Sequence, residues 1–187
     1  MASEVVLIRH GATEWSESGR HTGVTDLPLL EAGREAARAL APRVAQHTFA
    51  AVLTSPKQRA RETADLVGLG AHAEIDDDLC EWDYGDYEGI TTKEIRKTVP
   101  GWTIWSGPVP NGETPAQVAA RADRVIARVD AVDGAAALVA HGHILRVLTA
   151  RWLSYPPTDG VHFLLDTSTL SVLGYERETK AIHIWNA

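Results

Sequence analysis

One cysteine, Cys80, stands among 187 residues. It excludes an internal disulfide and any thiolate metal cluster, fits a reducing compartment, and reads as a small packing residue. No apolar run reaches the roughly 20 residues that span a bilayer. The start Met1-Ala2-Ser3-Glu4 lacks the basic segment and apolar core of a secretory signal, so the expectation is a cytoplasmic protein. Positive charge is also in deficit: 18 Lys and Arg face 25 Asp and Glu, a net charge of -7. Such a surface repels phosphate backbones, which argues against nucleic acid as a partner. A small phosphorylated molecule would need a locally basic pocket. Repeats, low-complexity tracts and linkers are missing too, and 44% hydrophobic against 23% charged is globular composition, so residues 1–187 read as one domain.

What the chain does have is Val5-Val6-Leu7-Ile8 followed by Arg9-His10-Gly11. Four apolar residues in a row predict a strand buried on both faces, as in a parallel sheet covered by helices. Ligands of open α/β sheets bind beyond the carboxyl ends of the strands, so the Arg-His pair is expected to face a pocket. Gly11 lets the backbone come close to a neighbour. Residues 12–30 have loop composition. Residues 31–47 read as a helix with Ala32, Ala36, Ala37, Leu40 and Val44 inward, kinked or ended early by Pro42.

A second strand is expected over residues 49–54, and Ser55-Pro56-Lys57-Gln58 then has the pattern of a capping box. Arg59 would fall in the first turn of the helix it opens, at the same sheet edge as Arg9 and His10, and Arg61 would be solvated. Residues 72–75 read as a third strand, closed by the acidic run Asp76-Asp77-Asp78, taken as solvated. Residues 79–89 mix carboxylates, aromatics and glycines; Glu81 beside aromatics suits a general acid, because apolar surroundings raise a carboxyl pKa. A short helix is expected over residues 91–99. Trp102 and Trp105 follow, read first as local packing and then as an apolar lid.

Thr114-Pro115-Ala116-Gln117 opens a helix with Val118, Ala122, Val125, Ile126 and Val129 inward, leaving Arg121, Arg124 and Arg128 as surface residues. Residues 135–140 form another buried strand, ending in His141-Gly142-His143 before a helix. The two histidines lack a matching carboxylate or cysteine set, so no metal is assigned. Residues 169–175 and 181–185 predict an antiparallel hairpin at the sheet edge. Parallel topology brings Arg9, His10, Arg59 and His141 to one side. Arginines bind phosphoryl oxygens and histidine is nucleophilic near neutral pH, so this set describes a phosphoryl-transfer pocket.

The runs Leu7-Ile8-Arg9-His10-Gly11, residues 55–64, Glu81 with Gly85 and Glu88-Gly89, and Val139-Ala140-His141-Gly142, in that order, resemble the histidine phosphatase superfamily, phosphoglycerate mutase-like branch. The resemblance implies a three-layer α/β/α sandwich on a mostly parallel sheet with an antiparallel edge. It also implies a phosphohistidine intermediate, with neither metal nor cofactor. By position it makes His10 the nucleophile, Glu81 the proton donor, and Arg9, Arg59 and a protonated His141 the phosphoryl clamp. Glu14, Ser16, Thr22 and Gly23 fall where the family's loop contacts phosphate or substrate, and Gly142 is counted with the phosphate-binding set.

The chain departs from the mutases of that branch in two places. Ser16 stands where they carry Asn, and residues 89–112 offer only Lys93, Arg96 and Lys97 toward a second acidic group. A phosphomonoesterase is therefore expected, ahead of a 2,3-bisphosphoglycerate-dependent mutase and of a non-catalytic phosphate- or partner-binding module.

Overall fold

A computed structural model describes residues 2–187. Six strands join one sheet: β1 (Ala2–Arg9), β2 (Phe49–Thr54), β3 (Ala73–Ile75), β4 (Gly134–Ala140), β5 (Leu170–Glu176) and β6 (Thr179–Ile184). Their order is β3-β2-β4-β1-β5-β6, parallel from β3 to β1 and antiparallel over the β5–β6 hairpin. Alternation along β1 sends Val5 and Leu7 into one core and Val6 and Ile8 into another, on opposite faces. α2 (Glu31–Val44) and α3 (Gln58–Leu66) cover one face; α5 (Pro115–Asp130) and α6 (Gly142–Trp152) cover the other. The expected sandwich is thus present.

Register places the functional strand ends side by side. Arg9 pairs with Ala140 and Thr54 with Val139. The His10 amide donates to the Ala140 carbonyl at 3.0 Å and the Ser55 amide to the Val139 carbonyl at 3.0 Å. His10, Ser55 and His141 therefore leave the sheet together.

Several local expectations give way. The loop after β1 contains α1 (Glu14–Ser18), capped reciprocally by Thr13 and Ser16. In α2 the buried positions are Gly33, Ala37, Leu40 and Val44; Ala32 and Ala36 are exposed, and the helix runs two residues past Pro42. The Ser55–Gln58 capping box does not form. α3 starts at Gln58, whose amide is capped by Asp26 Oδ1 at 2.9 Å, from the loop after β1. The capping boxes of α4 (Thr92–Thr98) and α5 do form, on Thr91 and Thr114. The acidic run is not simply solvated: Asp76 pairs with Arg128 at 2.9 Å and Asp78 with Arg124 at 2.6 Å, docking α5 against it. No described helix is long and apolar enough to cross a membrane.

Candidate active site

A cavity of about 180 Å³ opens at the carboxyl edge of β1 and β4, lined by Arg9, His10, Thr13, Ser16, Gly19, Arg20, His21, Thr22, Glu81, Tyr84, Gly142, His143 and Arg146. His10 sits at its base, 5% exposed. Its Nδ1 lies 2.7 Å from the Gly11 carbonyl, which can only accept, so the ring proton is on Nδ1 and Nε2 keeps its lone pair. Burial, then the charges of Arg9 and Arg59, hold its pKa well below the usual histidine range. The turn behind it is tight: a Cβ on Gly11 would stand 2.5 Å from the Gly33 carbonyl oxygen, and one on Gly33 would stand 2.4 Å from that of Ala12. Two glycines are required because helix α2 and the turn after His10 touch backbone to backbone.

His141, fully buried, lies edge-on to His10 with ring centroids 5.0 Å apart. Arg59 Nε donates to its Nδ1 at 3.1 Å, and its Nε2 contacts Ser55 Oγ at 2.7 Å. A ring nitrogen that accepts carries no proton, so His141 is the neutral Nε2–H form rather than the cation expected from the sequence. Burial, then Arg59, drive its pKa down in accord. The same contact explains why Ser55 is not a helix cap: its hydroxyl serves a histidine 86 residues away.

Arg59 is itself fully buried and does not line the cavity. Its terminal nitrogens donate to the carbonyls of Thr25 (2.9 Å), Thr22 (3.2 Å) and Gly23 (3.3 Å), tying the loop after β1 to His141. Arg9 donates to the Leu165 carbonyl, while its Nε is buried without a protein partner. Glu81 is 8% exposed. Its Oε1 accepts from the amides of Trp82 and Ile144, and Oε2 from that of His143, each at 2.9 Å. The carboxyl thus rests on the N-terminus of α6 instead of in the apolar pocket inferred from its neighbours.

The remaining expected residues divide. Ser16, Thr22 and Gly142 line the cavity. The Ser16 hydroxyl is engaged with Thr13, accepting from its amide at 2.8 Å and donating to its carbonyl at 2.9 Å. Gly23 is off the cavity wall, its amide donating to Glu88 at 2.9 Å and a Cβ there meeting the Trp82 carbonyl at 2.4 Å. Glu14 is exposed and off the wall.

Trp102 and Trp105, 2% and 8% exposed, are core beneath the cavity and not its lid. Arg121 is no surface residue either. It bridges Glu113 (2.8 Å) to the carbonyls of Asp78 (2.7 Å) and Cys80 (2.9 Å), beside Glu81. The sequence reading missed Arg146, and gave no role to Arg20, His21, Tyr84 or His143. For His143 and Arg146 a signal existed: polar residues three apart, hence on one face, in the otherwise apolar first half of the helix. Among the described residues no cluster of three or more His, Cys, Asp or Glu is placed to hold a metal. His141 and His143 face different partners, Arg59 with Ser55 and Tyr84 respectively.

The profile of the histidine phosphatase superfamily, branch 1, matches residues 5–187. An acid phosphatase of Mycobacterium tuberculosis is 36% identical over 184 residues, 96% of this chain and 90% of the relative. A sedoheptulose 1,7-bisphosphatase of Saccharomyces cerevisiae is 38% identical over 179 residues, 79% of this chain and 66% of that protein. Among solved structures, the product of an open reading frame of Mycobacterium tuberculosis superposes with TM-score 0.94 at 34% identity, covering 100% of this chain and 98% of that one. A mycobacterial glucosyl-3-phosphoglycerate phosphatase solved with VO3 gives 0.89 at 28%, covering all of both chains.

Proposed function

The chain belongs to branch 1 of the histidine phosphatase superfamily and is a phosphoric monoester hydrolase; from that premise we propose that it hydrolyses small phosphomonoesters through a covalent phosphate on Nε2 of His10, without a metal. The observation that carries this reading is the 2.7 Å contact of His10 Nδ1 with the Gly11 carbonyl. It fixes the tautomer and aims an unprotonated nitrogen at the cavity, and the depressed pKa keeps that nitrogen free in mild acid.

In the first step the Nε2 lone pair forms the N–P bond as the P–O ester bond breaks, its electron pair leaving on the alcohol oxygen, which takes a proton from Glu81. Arg9 neutralises the equatorial oxygens with the Nε that no protein atom uses. Arg59 acts from behind, holding His141 and the loop that carries Thr22. His141, neutral and with both ring nitrogens engaged by Arg59 and Ser55, acts from behind as well, packing edge-on against the His10 ring and holding it in place. In the second step Glu81 takes a proton from water, the water oxygen bonds phosphorus, and the N–P pair returns to Nε2. The acid phosphatase named among the relatives supports an acid phosphatase-like activity, and named phosphatases leave the mutase reading unfavoured. The proposed compartment is the cytoplasm, where a single thiol stays reduced.

The test is to quench turnover of a labelled ester in alkali. Label on His10, stable to alkali and released by acid, is expected, with no label and no turnover in His10→Ala. Arg59→Ala and His141→Ala should each slow turnover by about a hundredfold or more. Label elsewhere, or an active His10→Ala, would overturn the mechanism.

A further inference from the structure

Residues 55–64 supply Ser55 and Arg59 to the site, and one more member of that run, Thr63, stands apart from the reacting groups. It lies on α3 one turn after Arg59 and is fully buried. Its hydroxyl donates to the Arg59 carbonyl at 2.7 Å and accepts from the Gly11 amide at 3.1 Å. The two bonds depend on each other. Because the single hydroxyl proton is committed to Arg59, a lone pair is turned toward Gly11.

The Gly11 amide belongs to the peptide that joins it to His10. The carbonyl of that peptide accepts from the Ser168 amide at 3.2 Å, so the peptide is held at both ends, by backbone on one side and by the Thr63 side chain on the other. Next along the chain is the Gly11 carbonyl, which takes the His10 Nδ1 proton and so leaves the lone pair on Nε2. A glycine does little by itself to fix its own φ and ψ. The direction of this carbonyl is therefore set by what holds the amide before it and by Ala12 after it, whose carbonyl accepts from the Leu30 amide at 2.9 Å. The back-bond of a buried threonine to its own helix does not account for the Gly11 contact: Thr149 on α6 is equally buried and donates to the Leu145 carbonyl at 2.8 Å, yet accepts from no described donor.

We propose that Thr63 is a positioning residue for the nucleophile, a role that rests on covalent hydrolysis at His10. It anchors the His10–Gly11 peptide, which aims the Gly11 carbonyl at Nδ1 and keeps His10 in the tautomer that attacks. Thr63 does not line the cavity, so it acts through the backbone and not on the substrate. Without the hydroxyl the buried Gly11 amide has no acceptor, and the turn must shift to find one.

The experiment uses Thr63→Val, which keeps the side-chain shape and removes the acceptor. Nitrogen NMR of the histidine rings in the resting enzyme reads the tautomer: wild-type His10 should carry its proton on Nδ1, and the variant should show a population with the proton on Nε2. Turnover should fall by about tenfold or more, as expected for a displaced reacting atom. The fall should be equal for aryl and alkyl phosphates, because both leaving groups share one nucleophile. Thr63→Ser should recover most of the rate and of the tautomer, and Thr149→Val should leave both as in the wild type. If Thr63→Val does not fold, Thr63→Cys, whose sulfur is a weak acceptor, carries the same readouts with a smaller loss. A wild-type tautomer in the folded variant overturns the proposal whatever its rate, and so does a changed tautomer with an unchanged rate. A wild type that turns over no ester, an aryl phosphate included, refutes hydrolysis at His10, while the tautomer still decides whether Thr63 sets the ring.

Discussion

Replacing Arg121 by Met, which keeps the aliphatic stem and removes the charge, tests whether α5 positions Glu81 from outside the cavity. The Arg121 side chain is 13% exposed and that of its partner Glu113 20% exposed. Its loss leaves the carbonyls of Asp78 and Cys80 without their donor, and Glu113 with only the Asp83 amide at 3.0 Å. A buried acceptor left unpaired costs about 1–3 kcal/mol. Two of them, discounted for partial access to water, plus a weakened ion pair give a loss of about 3 kcal/mol. For a chain of this size that is a fall in Tm of roughly 6–12 °C. Glu81 follows Cys80 directly, so the carboxyl should shift, and misplacement by about 1 Å can cost a hundredfold.

The assay pairs thermal unfolding with turnover of an alkyl and an aryl phosphate at a temperature where the variant is folded. A proton donor matters most for the poor, alkyl leaving group, so the alkyl rate should fall about tenfold more than the aryl rate. An unchanged ratio in a folded, destabilised variant would show that Arg121 is structural only and that the 78–81 turn holds its own shape.

The remaining predictions concern pH, backbone fit and reaction type. His10 should titrate well below 6.5 when followed by NMR of its ring nitrogens, and Arg9→Met should move that titration upward; a His10 value near 6.5 would remove the basis for a free nucleophile in mild acid. The folded-state values of His10, His141 and His143 are depressed, and that of His21 is lowered by burial to about 4. The unfolded chain then binds more protons, so stability present above pH ~6.5 is lost as pH falls, for His21 between ~6.5 and about 4; a Tm flat over that window would contradict it. Gly33→Ala should destabilise the fold by more than about 1 kcal/mol and slow turnover, since its Cβ would push the Ala12 carbonyl, two residues from His10; wild-type melting and rate would show that the contact relaxes. Phosphate release should exceed interconversion of 3- and 2-phosphoglycerate even with 2,3-bisphosphoglycerate as primer, and EDTA should not slow it; faster mutase turnover or chelator inhibition would reverse that reading.

What could be read from residues alone was whatever chain neighbours decide. Four apolar residues ending in Arg9-His10, and six ending in His141, needed only β periodicity to become buried strands. Parallel connectivity then puts their ends at one edge, so His10 and His141 come together from strand pattern alone. Thr91 and Thr114 cap their helices because all the atoms involved lie within four residues. Ser55 has the same local grammar and fails as a cap, because His141 and Asp26, remote in sequence, take its hydroxyl and its place. Helical period put Arg121 outward, correctly for the helix, and could not know that the 78–81 turn would fold over it. Arg20 and Arg146, 126 positions apart, share a wall only because β1 and β4 pair. The protonation of His141 was likewise beyond the sequence, since it depends on which nitrogen Arg59 meets. Composition, period and spacing act over one element; charge state and substrate fit are set by contacts between elements, and those exist only after the sheet has formed.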